Sequence, residues 1–102
     1  MKITLEQIKE ELEEIKCFYD LIDSFEKDQF QPYGRLKTLI DRYSRVIDSA
    51  PSKIKGYYLK KYMLGATIEQ ISDDWKVSIK TVTRMRTKFY AYLLENLNKE
   101  EK

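Results

Sequence analysis

The chain has no histidine and a single cysteine, Cys17. No disulfide can form within it, and a His/Cys metal site of even two ligands cannot be assembled. Both absences fit a reducing, cytoplasmic setting. Cys17 falls among Ile15, Phe18 and Leu21, so a packed or half-packed, inert thiol is expected. The catalytic inventory is equally thin, with no glycine-rich phosphate loop and no G-x-S-x-G. Asp73 and Asp74 are neighbours and point about 100° apart on a helix, so they do not face one reacting atom together. The expectation is a non-enzyme with no catalytic residue, no metal and no cofactor.

Only three glycines and two prolines are present, and no stretch alternates with period two. The pattern therefore predicts an all-α chain of about five helices. Long apolar runs are missing too. The start, MKITLEQIKEELEE, turns acidic where a leader or a membrane span needs an apolar run, so neither is expected.

What is present is apolar material for a modest core: 42% of the 102 residues are hydrophobic and eight are tyrosine. This fits one small domain, or a domain plus an extra helix, and leaves self-association open. The net charge of +2 hides an asymmetry. Residues 1–31 carry nine acids and four bases, whereas residues 32–102 carry eight acids and fifteen bases. An acidic N-terminal helix is thus expected ahead of a basic body.

Helix one is predicted from Thr4, an N-cap with Gln7 as its capping-box partner, to about Lys27. Leu5, Ile8, Leu12, Ile15, Tyr19 and Ile22 step alternately by three and four, with Phe18, Leu21 and Phe25 widening the stripe. That seam suits either a short coiled coil between copies or packing on its own domain. Lys27–Gly34 is a break, carrying Pro32 and Gly34. Helix two is predicted from Tyr33 to Asp48 and ends ahead of Pro51. Helix three, about Ser52 to Leu64, is expected to bury Ile54, Tyr58, Leu59, Tyr62 and Met63, with Gly65 left-handed just past its end. The domain organisation is accordingly an acidic helix over 1–31, a helical body over 32–98 and a polar tail over 99–102.

The stretch TIEQISDDWKVSIKTVTRMR, residues 67–86, carries the strongest functional signal. Thr67 caps a short helix with Ile68, Ile71 and Trp75 inward. Lys76-Val77 makes a turn in which Val77 is expected to plug the space between helices, and Ser78 caps a second helix over 79–97. Val82, Met85, Phe89 and Leu93 form its inner stripe. At roughly 100° per residue, Lys80, Thr83, Arg84, Thr87 and Ala91 fall opposite, with Lys88 beside them. No acid occurs from Lys76 to Leu94, while Lys76, Lys80, Arg84, Arg86 and Lys88 are cationic. A brace helix, a tight turn and an outward cationic helix are the parts of a helix-turn-helix, here over 67–93, whose second helix enters a major groove. Arginine and lysine can bridge a guanine edge or meet phosphates; threonine can hydrogen-bond a base or touch a thymine methyl.

The segment IEQISDDWKVSIKTVTRMR is similar to the helix-turn-helix of the sigma-factor region 4 class, whose members often read I(A/S)xxLxVSxxTVxR. With YYLKKYMLGAT ahead of it, it also resembles phage-encoded transcriptional regulators of the ArpU and RinA type. The resemblance covers residues 54–93. It implies base-edge roles for Lys80, Thr83, Arg84 and Thr87, places Ser78 and Thr81 near the DNA backbone, and implies core roles for Ile71, Trp75, Val77, Val82 and Met85. Two residues depart from the pattern: Ser72 stands where alanine is usual, and Lys76 where a turn glycine is common.

The function expected is a sequence-specific transcriptional regulator of phage or mobile-element origin, binding double-stranded DNA as a dimer. Its DNA-binding set is Lys76, Ser78, Lys80, Thr81, Thr83, Arg84, Thr87 and Lys88. A small terminase subunit that marks viral DNA for packaging is one alternative, and a sigma-like module that touches RNA polymerase without reading bases is another. Helix one, or the apolar end of the last helix (Tyr90, Leu94, Leu97), is the expected interface between copies. Lys53, Lys55, Lys60 and Lys61 are either flanking phosphate contacts or solvated surface. Arg35, Lys37, Arg42 and Arg45 sit among acids that can pair with them. Tyr57, Tyr58, Tyr62, Tyr90 and Tyr92 are expected in the core or at its rim.

Overall fold

The computed structural model describes residues 2–24 and 34–100, and every regular element among them is helical. The chain is all-α. Helix α1 spans Leu5–Ser24, α2 Gly34–Asp48, α3 Ser52–Tyr58, α4 Ile68–Trp75 and α5 Ile79–Glu100. One π-helical turn, Leu59–Met63, continues α3 without a break. Of the break expected at 27–34, only Gly34 is among the described residues; Phe25, Lys27, Pro32 and Tyr33 lie outside them.

Local signals account for most of the helix ends. The Thr4 hydroxyl accepts from the Gln7 amide at 3.2 Å, and the Gln7 side chain accepts from the Thr4 amide at 2.8 Å. Two of the four unpaired amides at the start of α1 are thereby satisfied. Pro51 follows the end of α2, and its carbonyl accepts the first bonds of α3 from Ile54 and Lys55. The last helix runs three residues past the expected 97. Asn98 explains this: its side chain accepts from the Ile3 amide at 2.8 Å and donates to the Leu94 carbonyl, fastening the end of α5 to the start of the chain.

Helix α5 is the axis on which α1, α2, α3 and α4 all pack. Val82, Phe89, Leu93 and Leu97 are each completely buried along it. Ile8, Leu12 and Ile15 of α1 are within 1% of full burial, so the centre of the heptad-like seam is used inside this chain. Leu97 is buried in the same core, with Tyr90 and Leu94 packed against it. Hydrogen bonds across helices add register: Tyr43 of α2 donates to Glu11 of α1 at 2.8 Å, and Tyr92 of α5 donates to the Val46 carbonyl. Cys17, expected to be packed or half-packed, is exposed: on the helix it lies about 100° from Phe18 and about 160° from Ile15, off the buried stripe.

The π turn corrects the reading of helix three. α-Helical spacing put Leu59 inside; it is 45% exposed, while Tyr57 is completely buried. A π turn holds more residues per turn than an α-helix, which brings positions five apart onto one face. Tyr57, Tyr58 and Tyr62 all meet Phe89, at centroid distances of 5.0, 6.3 and 5.7 Å. Such rings contribute beyond the area they bury. The wide turn closes through Leu64 donating to the Leu59 carbonyl at 2.9 Å and Ala66 donating to that of Lys60 at 2.8 Å. Gly65 supplies the expected left-handed residue, at φ 71°.

Candidate nucleic-acid interface

Helix α4 is short, and both of its ends are closed. Thr67 and Gln70 form a reciprocal capping box, at 3.1 and 2.8 Å. At the other end Lys76 is left-handed, with φ 57° and ψ 46°, and it is the one non-glycine residue at positive φ among the described residues. Its amide donates to the Asp73 carbonyl, and the Val77 amide donates to that of Ser72 at 3.1 Å. These two bonds make the Schellman arrangement that a glycine usually permits.

Ser72, the other departure from the sigma region 4 pattern that the stretch resembles, adds a third bond to the same turn. It is buried, and its hydroxyl donates to the Val77 carbonyl. An alanine there has no such donor. The two departures are therefore physically joined: a lysine strains the turn, and a serine beneath it holds the turn closed.

Ser78 then caps α5, its hydroxyl accepting from the Thr81 amide at 3.1 Å and lying 3.0 Å from the Thr81 hydroxyl. Val82 is completely buried as expected, and Ile71 with it. Trp75 and Met85 are half-buried against the core. Val77 differs: it is 37% exposed, so it does not plug the helix junction. The tight left-handed turn carries it outward, onto the rim of a mostly apolar cleft of about 420 Å³. Trp75 and Met85 line this cleft together with Ser52, Lys53 and Gly56 of α3.

Of the eight residues singled out for DNA, Lys76, Ser78, Lys80, Thr81, Arg84, Thr87 and Lys88 are exposed, and Thr83 is half-buried. Lys80, Arg84 and Lys88 follow one another at intervals of four, so they form a single ridge along α5. Among the described residues no carboxylate is ion-paired with any of them, or with Lys76. Arg86 is turned elsewhere. It is half-buried beside the Tyr57 phenol, which burial pushes up to about 12, Tyr90 pushing the same way and Arg86 opposing.

The other cations divide as the sequence left open. Lys60 is ion-paired with Asp74, which ties the π turn to α4. Lys37 pairs with Asp41 at 2.8 Å, and Arg35 pairs with Glu14 of α1 at 2.9 Å. Lys53 and Lys55 are exposed, and Lys53 lines the cleft. Tyr57, Tyr58 and Tyr62 are buried and Tyr90 and Tyr92 half-buried, which places all five in the core or at its rim.

One surface residue escaped the sequence reading. Ile79, on the first turn of α5, is 50% exposed. An apolar residue invites assignment to the core, but Ile79 precedes Thr83 and Thr87 by four and eight. That spacing puts it on the row beside the cationic ridge.

No helix among the described residues is long and apolar enough to cross a membrane. No family model, curated protein or solved structure matches this chain.

Proposed function

We propose that the chain is a sequence-specific transcriptional regulator that reads duplex DNA with the outward face of α5, α4 and the Lys76 turn serving as a helix-turn-helix brace. One observation carries the reading: Lys80, Arg84 and Lys88 form an exposed cationic ridge with no acid on its helix before Glu95 and no ion-pair partner among the described residues. Unpaired cations at four-residue spacing match phosphate and guanine edges, whereas charges kept only for solvation are commonly mixed in sign. In this reading Arg84 and Lys80 contact base edges, and Lys76, Lys88 and the free lysines of α3 neutralise phosphates. Ser78 and Thr81, already engaged with each other at the cap, lie against the DNA backbone. Lys60 is a weaker phosphate candidate than its neighbours because Asp74 holds it. The resemblance to sigma region 4 and ArpU-type motifs supports a phage or mobile-element regulator working in the cytoplasm.

A single such motif reads few base pairs, so a dimer on a two-fold site follows. The buried centre of the α1 seam and the buried Leu97 pack within the chain, which leaves the exposed Leu5 and Leu21 of α1 and the half-buried Tyr90 and Leu94 of α5 as apolar surface for the second copy. Selection from a random duplex pool, repeated at two salt concentrations, tests the whole reading. It predicts enrichment of a defined sequence and an affinity that falls steeply with salt, as expected for on the order of five to eight neutralised phosphates. Enrichment of no sequence, with RNA polymerase retained on the immobilised protein, would favour the polymerase module. Ring-sized oligomers in light scattering would favour the terminase subunit.

A further inference from the structure

The threonines on the outward face of α5 are not free hydroxyl donors. Thr83 donates its hydroxyl hydrogen to the Ile79 carbonyl at 3.0 Å, and Thr87 donates its own to the Thr83 carbonyl at 3.4 Å. Turning the oxygen back to the helix leaves the methyl as the apolar group each side chain can offer outward. Ile79, 50% exposed, heads the same row. The face therefore carries two parallel ridges: methyl-bearing Ile79, Thr83 and Thr87, and cationic Lys80, Arg84 and Lys88.

We infer that this face selects duplexes carrying thymines in the major groove, with the methyl ridge packing on thymine 5-methyl groups beside the bases or phosphates that the cationic ridge engages. The inference rests on the reading of α5 as the DNA-facing helix and adds the chemistry of its target. Of the four base pairs, only A·T and T·A present a methyl in the major groove, and apolar side chains are what meet it. Exposed charge alone attracts any duplex; an exposed isoleucine placed among those charges loses water only where it finds an apolar partner. The spacing is compatible with two contacts. Residues four apart on a helix are about 6 Å apart along its axis, close to two base-pair steps of about 3.4 Å. Ile79 and Thr83 thus meet methyls about two steps apart, with Arg84 next to Thr83 and free to bridge an adjacent guanine.

The test compares the duplex selected by the wild-type chain with the same duplex carrying deoxyuridine in place of thymidine, which removes only the methyl. Loss of one buried methyl contact corresponds to about fourfold in affinity. The expected result is that loss at each of two positions about two steps apart in each half-site, and at no other thymidine in the site. Ile79→Ala should abolish discrimination at one of these positions and Thr83→Ser at the other, each variant being compared on its own thymidine and deoxyuridine duplexes. Ile79 is half-exposed and Thr83→Ser keeps the hydroxyl, so both variants retain the packing of α5. The inference is overturned if a sequence is selected but deoxyuridine is bound equally well throughout, or if both variants keep the discrimination. Neither outcome touches the reading of α5 as a DNA-binding helix. Absence of binding to any duplex removes that reading and the inference together.

Discussion

On α1 and α2 the charges answer one another. Lys16 meets Asp20 at 3.4 Å, Lys37 meets Asp41 at 2.8 Å, and Arg35 reaches across to Glu14 at 2.9 Å. On α5 a Lys99–Glu95 pair at 3.4 Å closes the far end, but the helix from Ile79 to Leu94 has no acid to pair with. The two regions have similar helices and similar numbers of cations, so charge content does not separate them. What separates them is compensation. Exposed pairs contribute little to stability, a median of about 0–1 kcal/mol, yet they cancel the field that a polyanion would feel. An uncompensated ridge leaves that field in place.

The largest effect that can break this comparison lies on α5. Arg84→Ala should weaken binding to the selected duplex by about 1–3 kcal/mol and relax preference at one base pair. Arg35→Ala and Lys37→Ala, each removing one cation too, should leave affinity nearly unchanged. Titration by fluorescence anisotropy at fixed salt reads all three. Equal losses for the three variants would mean that net charge, and not the ridge, governs binding.

The next effect concerns what α1 and α2 do with their polar groups. Tyr43 is completely buried, and its hydroxyl joins the two helices through the Glu11 carboxylate. Tyr43→Phe should cost about 1–2 kcal/mol of unfolding free energy in denaturant titrations, within the range for a buried group that loses its hydrogen-bond partner. It should not change DNA affinity. Ionisation sharpens the same contrast. Burial pushes the phenols of Tyr43, Tyr58 and Tyr62 well above the ordinary value of 10, the Glu11 bond adding to this for Tyr43 and the Tyr90 bond for Tyr62; burial pushes Tyr57 to about 12. Between pH 10 and about 12 the unfolded chain loses phenolic protons that the folded chain keeps. The tyrosines' contribution to stability is therefore complete below pH 10 and falls as pH rises through that window. Denaturant titrations across the window should show the fall, and a flat profile would mean that these phenols are hydrated in the folded state.

Much of this architecture is legible in the residues themselves. The caps at Thr4, Thr67 and Ser78 follow from a hydroxyl three residues ahead of an amide it can reach, and the inner stripe of α5 follows from its period. The left-handed Lys76 occupies a turn position that commonly holds glycine. Three features are not legible in that way, each for a local reason. The π turn has no proline or glycine to announce it; it depends on Tyr57, Tyr58 and Tyr62 all finding Phe89, which lies 27 or more residues away. Val77 is an apolar residue in an apolar pattern, and only the turn's handedness moves it outward. At the candidate interface, residue type indicates which face is cationic but not that the Thr83 and Thr87 hydroxyls fold back on their own helix.

The smallest effect tests the place where the two kinds of surface meet. Lys76 holds a left-handed conformation that costs a non-glycine residue about 1–2 kcal/mol, and glycine adopts it freely. Glycine also gains more freedom when the chain unfolds, which offsets part of that difference. Lys76→Gly should therefore stabilise the fold by only about 0.5–1 kcal/mol, measured by denaturant titration. It also removes one unpaired cation, so the logarithm of affinity should depend on the logarithm of salt with a slope shallower by about 1. Stability and binding then move in opposite directions from one substitution. Lys37→Gly, made on a paired and exposed cation of α2, should do the reverse: it destabilises a helix interior by about 1 kcal/mol and leaves the salt slope alone. If Lys76→Gly stabilises the chain and the salt slope does not change, the turn lysine is strained without touching DNA, and the uncompensated surface begins only at Lys80.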